Sequence, residues 1–175
     1  MSRLYPIGIQ NFEDLRCGGY IYVDKTMLLY NLVTTGKYYF LSRPRRFGKS
    51  LMLSTLDAYF SGKRELFRGL DMERLEKNWV VYPVLHMDLN TEKYDSEKSV
   101  ENKIELSLKQ WESLYGKNPD EYSLATRFEG IIRRAALKTG YKVVILIDEY
   151  DKPMLQAIGN PTLQTAYRNT LKAFY

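Results

Sequence analysis

A single cysteine, Cys17, and a single histidine, His86, stand in a chain of 175 residues. One cysteine excludes an internal disulfide. Its ordinary role is that of a small buried or half-buried residue, and a reducing cytoplasm is the expected compartment. His86 falls mid-strand between Leu85 and Met87, and it is read as structural, with no catalytic role. No apolar run approaches the ~18 residues that a membrane span needs, so no membrane partner is expected. The N-terminus, MSRLYPIGIQ, lacks the apolar core of a signal peptide. A formal net charge of +5 is too small to argue strongly for DNA or RNA. There is no internal repeat and no low-complexity segment. What is present is a core-forming composition, 45% hydrophobic and 27% charged, at a length that fits one soluble globular domain.

Within it, residues 38–50, YYFLSRPRRFGKS, have a distinctive layout. Tyr38 to Ser42 read as a short apolar strand. Arg43, Pro44, Arg45, Arg46 and Phe47 form a loop, and Gly48, Lys49 and Ser50 open a helical run at Leu51. Strand, phosphate-sized loop, Gly-Lys-Ser and helix is the order of a P-loop, or Walker A motif. Backbone N–H groups of such a loop and of the helix N-terminus point into one concavity that favours an anion. Gly48 would let the backbone approach phosphates closely. Lys49 would reach the β/γ oxygens, and the Ser50 hydroxyl would bind Mg²⁺. Arg43 stands where the general pattern has glycine, so a residue with a Cβ makes the first turn, followed by the fixed φ of Pro44. By itself Gly-Lys-Ser is a short signal, and a basic loop capping a helix is its plain alternative.

A second motif supports the first. Val143 to Ile147 is an apolar run ending in Asp148 and Glu149, which reads as a buried parallel strand presenting carboxylates at its C-terminal edge. This is a Walker B layout. Asp148 would hold Mg²⁺, and Glu149 would act as general base toward the attacking water. An ordinary polar strand end is the competing reading of the pair. Both motifs in this order favour a nucleotide site, with Lys49 and Asp148 expected at one mouth of a sheet.

The rest of the chain supplies the scaffold. Residues 1–19 show little regular pattern. Tyr20–Val23 reads as a short strand, and Asp24 caps a helix from Lys25 to about Thr35. A second helix is expected over Lys49 to about Phe60. Val80–Leu89 is a core strand interrupted by Pro83, hence an edge strand or one that starts after the proline. Asp88 lies at its C-terminal end, where α/β sheets place ligands, and a turn-capping role is an equal alternative for it. Helices are expected from Ser99 to about Tyr115, with Trp111 in the core, and from a cap at Asp120 or Ser123 to near Gly140. Arg127, Arg133 and Arg134 on the latter read as its solvated face. Residues 154–158 make a turn or two, and an amphipathic helix follows Asn160-Pro161.

This order argues α/β with a parallel sheet: a three-layer P-loop NTPase-type fold, of which the chain is expected to be the N-terminal part. The segments IGIQNFEDLR (7–16), YIYVDKT (20–26), FLSRPRRFGKSL (40–51) and ILIDEYDKP (145–153) resemble the bacterial AAA-ATPase-like family. The resemblance covers essentially the whole chain, as a domain over 1–175 with a lead-in over 1–36. It implies that the missing first glycine is a family trait. It also implies ATP and Mg²⁺ binding at Gly48, Lys49, Ser50 and Asp148, with Glu149 as base. Arg43 to Phe47 and Leu51 complete the nucleotide loop. Members commonly continue into a PD-(D/E)XK nuclease-like domain, absent here, and a homo-oligomer is among the expected partners. An ATPase module with weak turnover in this form is the leading reading. A nucleotide-gated interaction module and a basic nucleic-acid-binding domain are the alternatives.

Overall fold

The computed structural model describes residues 4–42, 44, 46–90 and 93–174. Over these the protein is mixed α/β, with a parallel sheet of two strands, and the chain divides into two compact units, Met1–Tyr82 and Pro83–Tyr175.

The first unit is helical. Helix α1 (Phe12–Cys17) occupies a stretch expected to be irregular. Six residues are too few to display a period, but the local chemistry is that of a helix start. The Asn11 side chain accepts the Asp14 N–H at 3.1 Å, and Glu13 and Asp14 sit in the first turn, where acids suit the helix dipole. Phe12 and Leu15 are buried, and α1 packs on α3 (Lys49–Phe60). Ser54 on α3 accepts the Phe12 N–H at 2.9 Å. Helix α2 (Thr26–Thr35) packs on α4 (Asp71–Leu75). Asp24 ties their starts together. Its Oδ1 accepts the Thr26 N–H and hydroxyl at 2.8 and 2.7 Å, and its Oδ2 accepts the Asp71 N–H at 2.8 Å. The N-cap position expected for Asp24 falls instead on Lys25, and Asp24, one residue earlier, accepts the first N–H of each of the two helices. Phe12, Tyr59, Phe67 and Trp79 form an aromatic cluster, with the Phe12 and Phe67 centroids 5.0 Å apart.

Among the described residues, two expected strands of this unit do not form. Tyr20 makes only an isolated bridge to Leu4. Tyr38 to Ser42 joins no ladder among the described residues, and Tyr38 and Phe40 are 94% and 70% exposed. An apolar, aromatic composition suits a pleated half-buried surface, but a strand also needs a partner to pair with, and composition does not supply one.

In the second unit, β1 (Val84–Asp88) begins directly after Pro83. The proline carbonyl accepts the Val144 N–H at 2.9 Å, so it serves the ladder as acceptor although it has no N–H to donate. Strand β2 (Val144–Asp148) pairs parallel to β1 in the register Val84↔Val144 to Asp88↔Asp148. Helices α5 (Ser99–Tyr115) and α6 (Leu124–Thr139) form the crossover. Leu85, Met87 and Leu89 are buried in one cluster with Ile104, Leu108, Trp111 and Ile131, closed by Tyr167 and Phe174 of α8 (Pro161–Phe174). Ser123 caps α6 through a reciprocal bond pair with Thr126, and Gly140, at φ 75°, ends it.

The solvated-face reading of α6 is corrected at two of its three arginines. The Arg127 guanidinium is 10% exposed and grips Glu112 of α5 through bonds of 2.7 and 3.0 Å. Arg134 grips Glu121 at 2.6 and 3.0 Å. Only Arg133 fits the expectation, at 66% exposure. The Glu121 carboxylate lies on α6 where Gly130 leaves room, and a Cβ at 130 would fall 1.9 Å from its Oε1.

Candidate functional site

The first unit carries the basic loop. Pro44, Arg46, Phe47 and Gly48 are exposed, and Lys49, Ser50 and Leu51 are half-buried, while Arg43 and Arg45 lie outside the described residues. Arg46 and Gly48 have φ of 66° and 74°, so two residues two apart adopt left-handed conformations before α3. For the arginine this costs roughly 1–2 kcal/mol. At Gly48 a Cβ would meet no atom within 4 Å, so its backbone angle, not crowding, favours glycine. The Gly48 carbonyl accepts the Met52 N–H at 3.0 Å, and among the described residues no side chain caps the helix. The N–H groups of its first turn are therefore open to an anion. Lys49 and Ser50 both lie in that turn, and neither side chain makes a hydrogen bond or ion pair among the described residues.

The second unit carries the acids. Asp148 ends β2 and is 7% exposed. Its Oδ1 accepts the Glu149 N–H at 2.9 Å, and its Oδ2 has no hydrogen-bond partner among the described residues. Glu149 has φ 52°, a left-handed conformation unusual for a residue with a side chain. Its carbonyl accepts the Lys152 N–H at 2.9 Å and leads the chain into α7 (Lys152–Gln156). Asp88, opposite Asp148 in the ladder, accepts the Asn90 N–H on Oδ1 at 2.7 Å. Partners in a parallel ladder point to the same face, so Asp88 and Asp148 share one with His86 and Leu146.

No group of three or more His, Cys, Asp or Glu able to hold a metal occurs among the described residues. A buried carboxylate with one uncommitted oxygen suits Mg²⁺, which binds through one or two carboxylates plus phosphate and water rather than in an all-protein cage. The donor set therefore fits a magnesium ion that arrives with a phosphorylated ligand.

Two features of the site regions escaped the reading of the sequence. The Lys152 ammonium donates to the Asn90 carbonyl at 2.5 Å and to Asn90 Oδ1 at 2.7 Å. A lysine in the first turn of a helix, where acids are favoured, was the available signal. Asp24 and Thr26, two apart as in an Asx turn, were legible as a cap but not as the link to α4.

A family model described as predicted AAA-ATPase matches residues 6–175. A protein of Azotobacter chroococcum mcd 1, described as an uncharacterized protein in the vnfD 5' region, is 40% identical over 171 residues. The match takes in 97% of this chain and 33% of the relative, so the chain spans about a third of the relative's length. No solved structure matches the chain. Among the described residues no helix is long and apolar enough to cross a membrane.

Proposed function

The chain belongs to the predicted AAA-ATPase-like family, and from that footing we propose that it binds Mg·ATP through the Gly48 loop and Asp148. The observation that carries the reading is the opening of α3: a left-handed Gly48 and, among the described residues, an uncapped first turn with Lys49 and Ser50 side chains that have no partner. First-turn N–H groups and the helix dipole attract phosphate, and the Lys49 ammonium adds a full charge beside them. The Ser50 hydroxyl and Asp148 are the metal ligands, with Arg43 to Phe47 and Leu51 forming the rest of the loop. In this reading the strands belong to a three-layer P-loop sheet.

Hydrolysis breaks the bond between the γ-phosphorus and the β,γ-bridging oxygen and forms one to water oxygen. Glu149, whose carboxylate makes no hydrogen bond among the described residues, is the group proposed to take the water proton. Magnesium, when bound with the nucleotide, supplies charge neutralisation at the phosphate oxygens.

Calorimetric titration of Mg·ATP into the wild type and Lys49→Ala tests the proposal. Affinity is expected to fall about tenfold or more in the variant, ~1.4 kcal/mol. Equal affinities would overturn it.

A further inference from the structure

Hydrogen bonds close a ring across the C-terminal edge of the two strands. Asp88 Oδ1 accepts the Asn90 N–H at 2.7 Å, and Asn90 in turn accepts the Lys152 ammonium on its carbonyl and its amide oxygen. The Lys152 N–H donates to the Glu149 carbonyl at 2.9 Å, and the Glu149 N–H donates to Asp148 Oδ1 at 2.9 Å. The Leu89 N–H donates to the Asp148 carbonyl at 3.1 Å, which closes the ring at the residue after Asp88. Within the ring, the Lys152 side chain makes the tie between the loop after β1 and the turn after β2. Tyr94 adds a more distant one, its N–H donating to Gln156 Oε1 at 3.0 Å.

From this ring we infer that Lys152 is a positioning residue. Its two bonds to Asn90 hold the turn that aims Asp148 and Glu149, and hold Asp88 opposite them. The inference rests on the nucleotide reading above and assigns the ammonium a part in the metal step. Two of the three ammonium donors are spent on oxygens of one residue, and Lys152 is taken as a positioning group; a direct phosphate contact through the third donor would make nucleotide affinity without Mg²⁺ depend on Lys152. As a positioning group its contribution is to the geometry of carboxylates that bind through Mg²⁺, and nucleotide binding in the absence of Mg²⁺ does not depend on it. A carboxylate held in one orientation loses less freedom when it takes up an ion, and that is the term removed when the tie is cut.

The test compares wild type with Lys152→Met, which keeps the aliphatic stem and removes both bonds, and with Lys152→Arg, whose planar fork can span two acceptors. ADP and ATP binding is titrated in EDTA and then against rising Mg²⁺. Lys152→Met is expected to raise the half-saturating Mg²⁺ concentration about tenfold, while Mg-free affinity changes less than about twofold. Lys152→Arg restores most of the loss. In the metal-free chain, amide exchange at Asn90 and Glu149 is expected to quicken in Lys152→Met. If that variant fails to fold, Asn90→Ala removes the side-chain acceptor and is expected to shift the Mg²⁺ requirement in the same direction. An unchanged Mg²⁺ requirement, or an equal loss with and without metal, would overturn the positioning role in a protein that still binds nucleotide. Absence of any nucleotide binding by the wild type would instead overturn the reading beneath it, and the inference with it.

Discussion

Moving Arg127 and Glu112 out of water costs free energy that their two hydrogen bonds, at 2.7 and 3.0 Å, offset. Arg127→Met would leave the Glu112 carboxylate buried without its counter-charge, and it is expected to destabilise the protein by about 3 kcal/mol at neutral pH. The pH dependence has a definite sign. The Arg127 guanidinium, against the opposing effect of burial, holds the Glu112 carboxyl below its ordinary range. Such a group contributes fully above the unfolded value, about 4.3, and the contribution is lost as pH falls through the lower folded value. In Arg127→Met burial acts on Glu112 without that cation, so protonation ceases to be unfavourable. Urea unfolding at pH 7 and near pH 3 is expected to show the gap between wild type and variant narrowing in acid. A gap constant with pH would place the destabilisation elsewhere. The pair was half legible. Glu112 falls four residues after Leu108 on the apolar stripe of α5, which marks a carboxylate in need of a cation. Its partner sits on another helix, and no local pattern joins them.

At the scale of elements, what was readable is what local chemistry decides. Helix α3 spans Lys49–Phe60, as its apolar residues and Gly62 predict. Helices α5 and α6 follow from their apolar spacings and from Ser123 and Gly140 at the ends of α6. Pro83 correctly marks where β1 starts. Helix α1 was missed because it is shorter than two turns, and the strand read at Tyr38–Ser42 has no ladder among the described residues because pairing is decided by distant chain. The Asp24 junction links two elements and gives a prediction. Asp24→Ala removes the acceptor from Thr26 N–H, Thr26 hydroxyl and Asp71 N–H. A loss of about 1–2 kcal/mol is expected, in line with other helix caps. Asp24→Asn keeps one acceptor oxygen and should lose less than half as much. Chemical denaturation followed by circular dichroism checks both, and equal losses would mean that charge rather than hydrogen bonding matters there.

At the scale of the molecule, the sequence placed Lys49 at the start of a helix and Asp148 at the end of a strand, where both are found, while the strand expected ahead of the Lys49 loop joins no ladder among the described residues. The sheet was less legible. Two parallel strands, Val84–Asp88 and Val144–Asp148, make it up among the described residues, and the motif-bearing segments fall in different compact units. Glu149→Gln separates an ATPase from a nucleotide-gated module. For an ATPase it should lower the hydrolysis rate by about a hundredfold or more and leave Mg·ATP affinity within about twofold. The chain spans a third of its Azotobacter relative, so the measurement is made on this chain and on that longer protein. An unchanged rate in both would remove Glu149 as the base.

Gly130 shows how chemistry and architecture can be confused. Alanine there would ordinarily favour an α-helix by about 1 kcal/mol, yet at this position the added methyl must displace a carboxylate that Arg134 holds against the helix. A saturation screen scored on cellular abundance should therefore reject every residue but glycine at 130, and on the nucleotide reading proposed above a screen scored on turnover should reject changes at Lys49 as firmly. Running the two screens side by side sorts such positions: a substitution that depletes the protein itself marks scaffold, and one that leaves a full complement of inert protein marks chemistry.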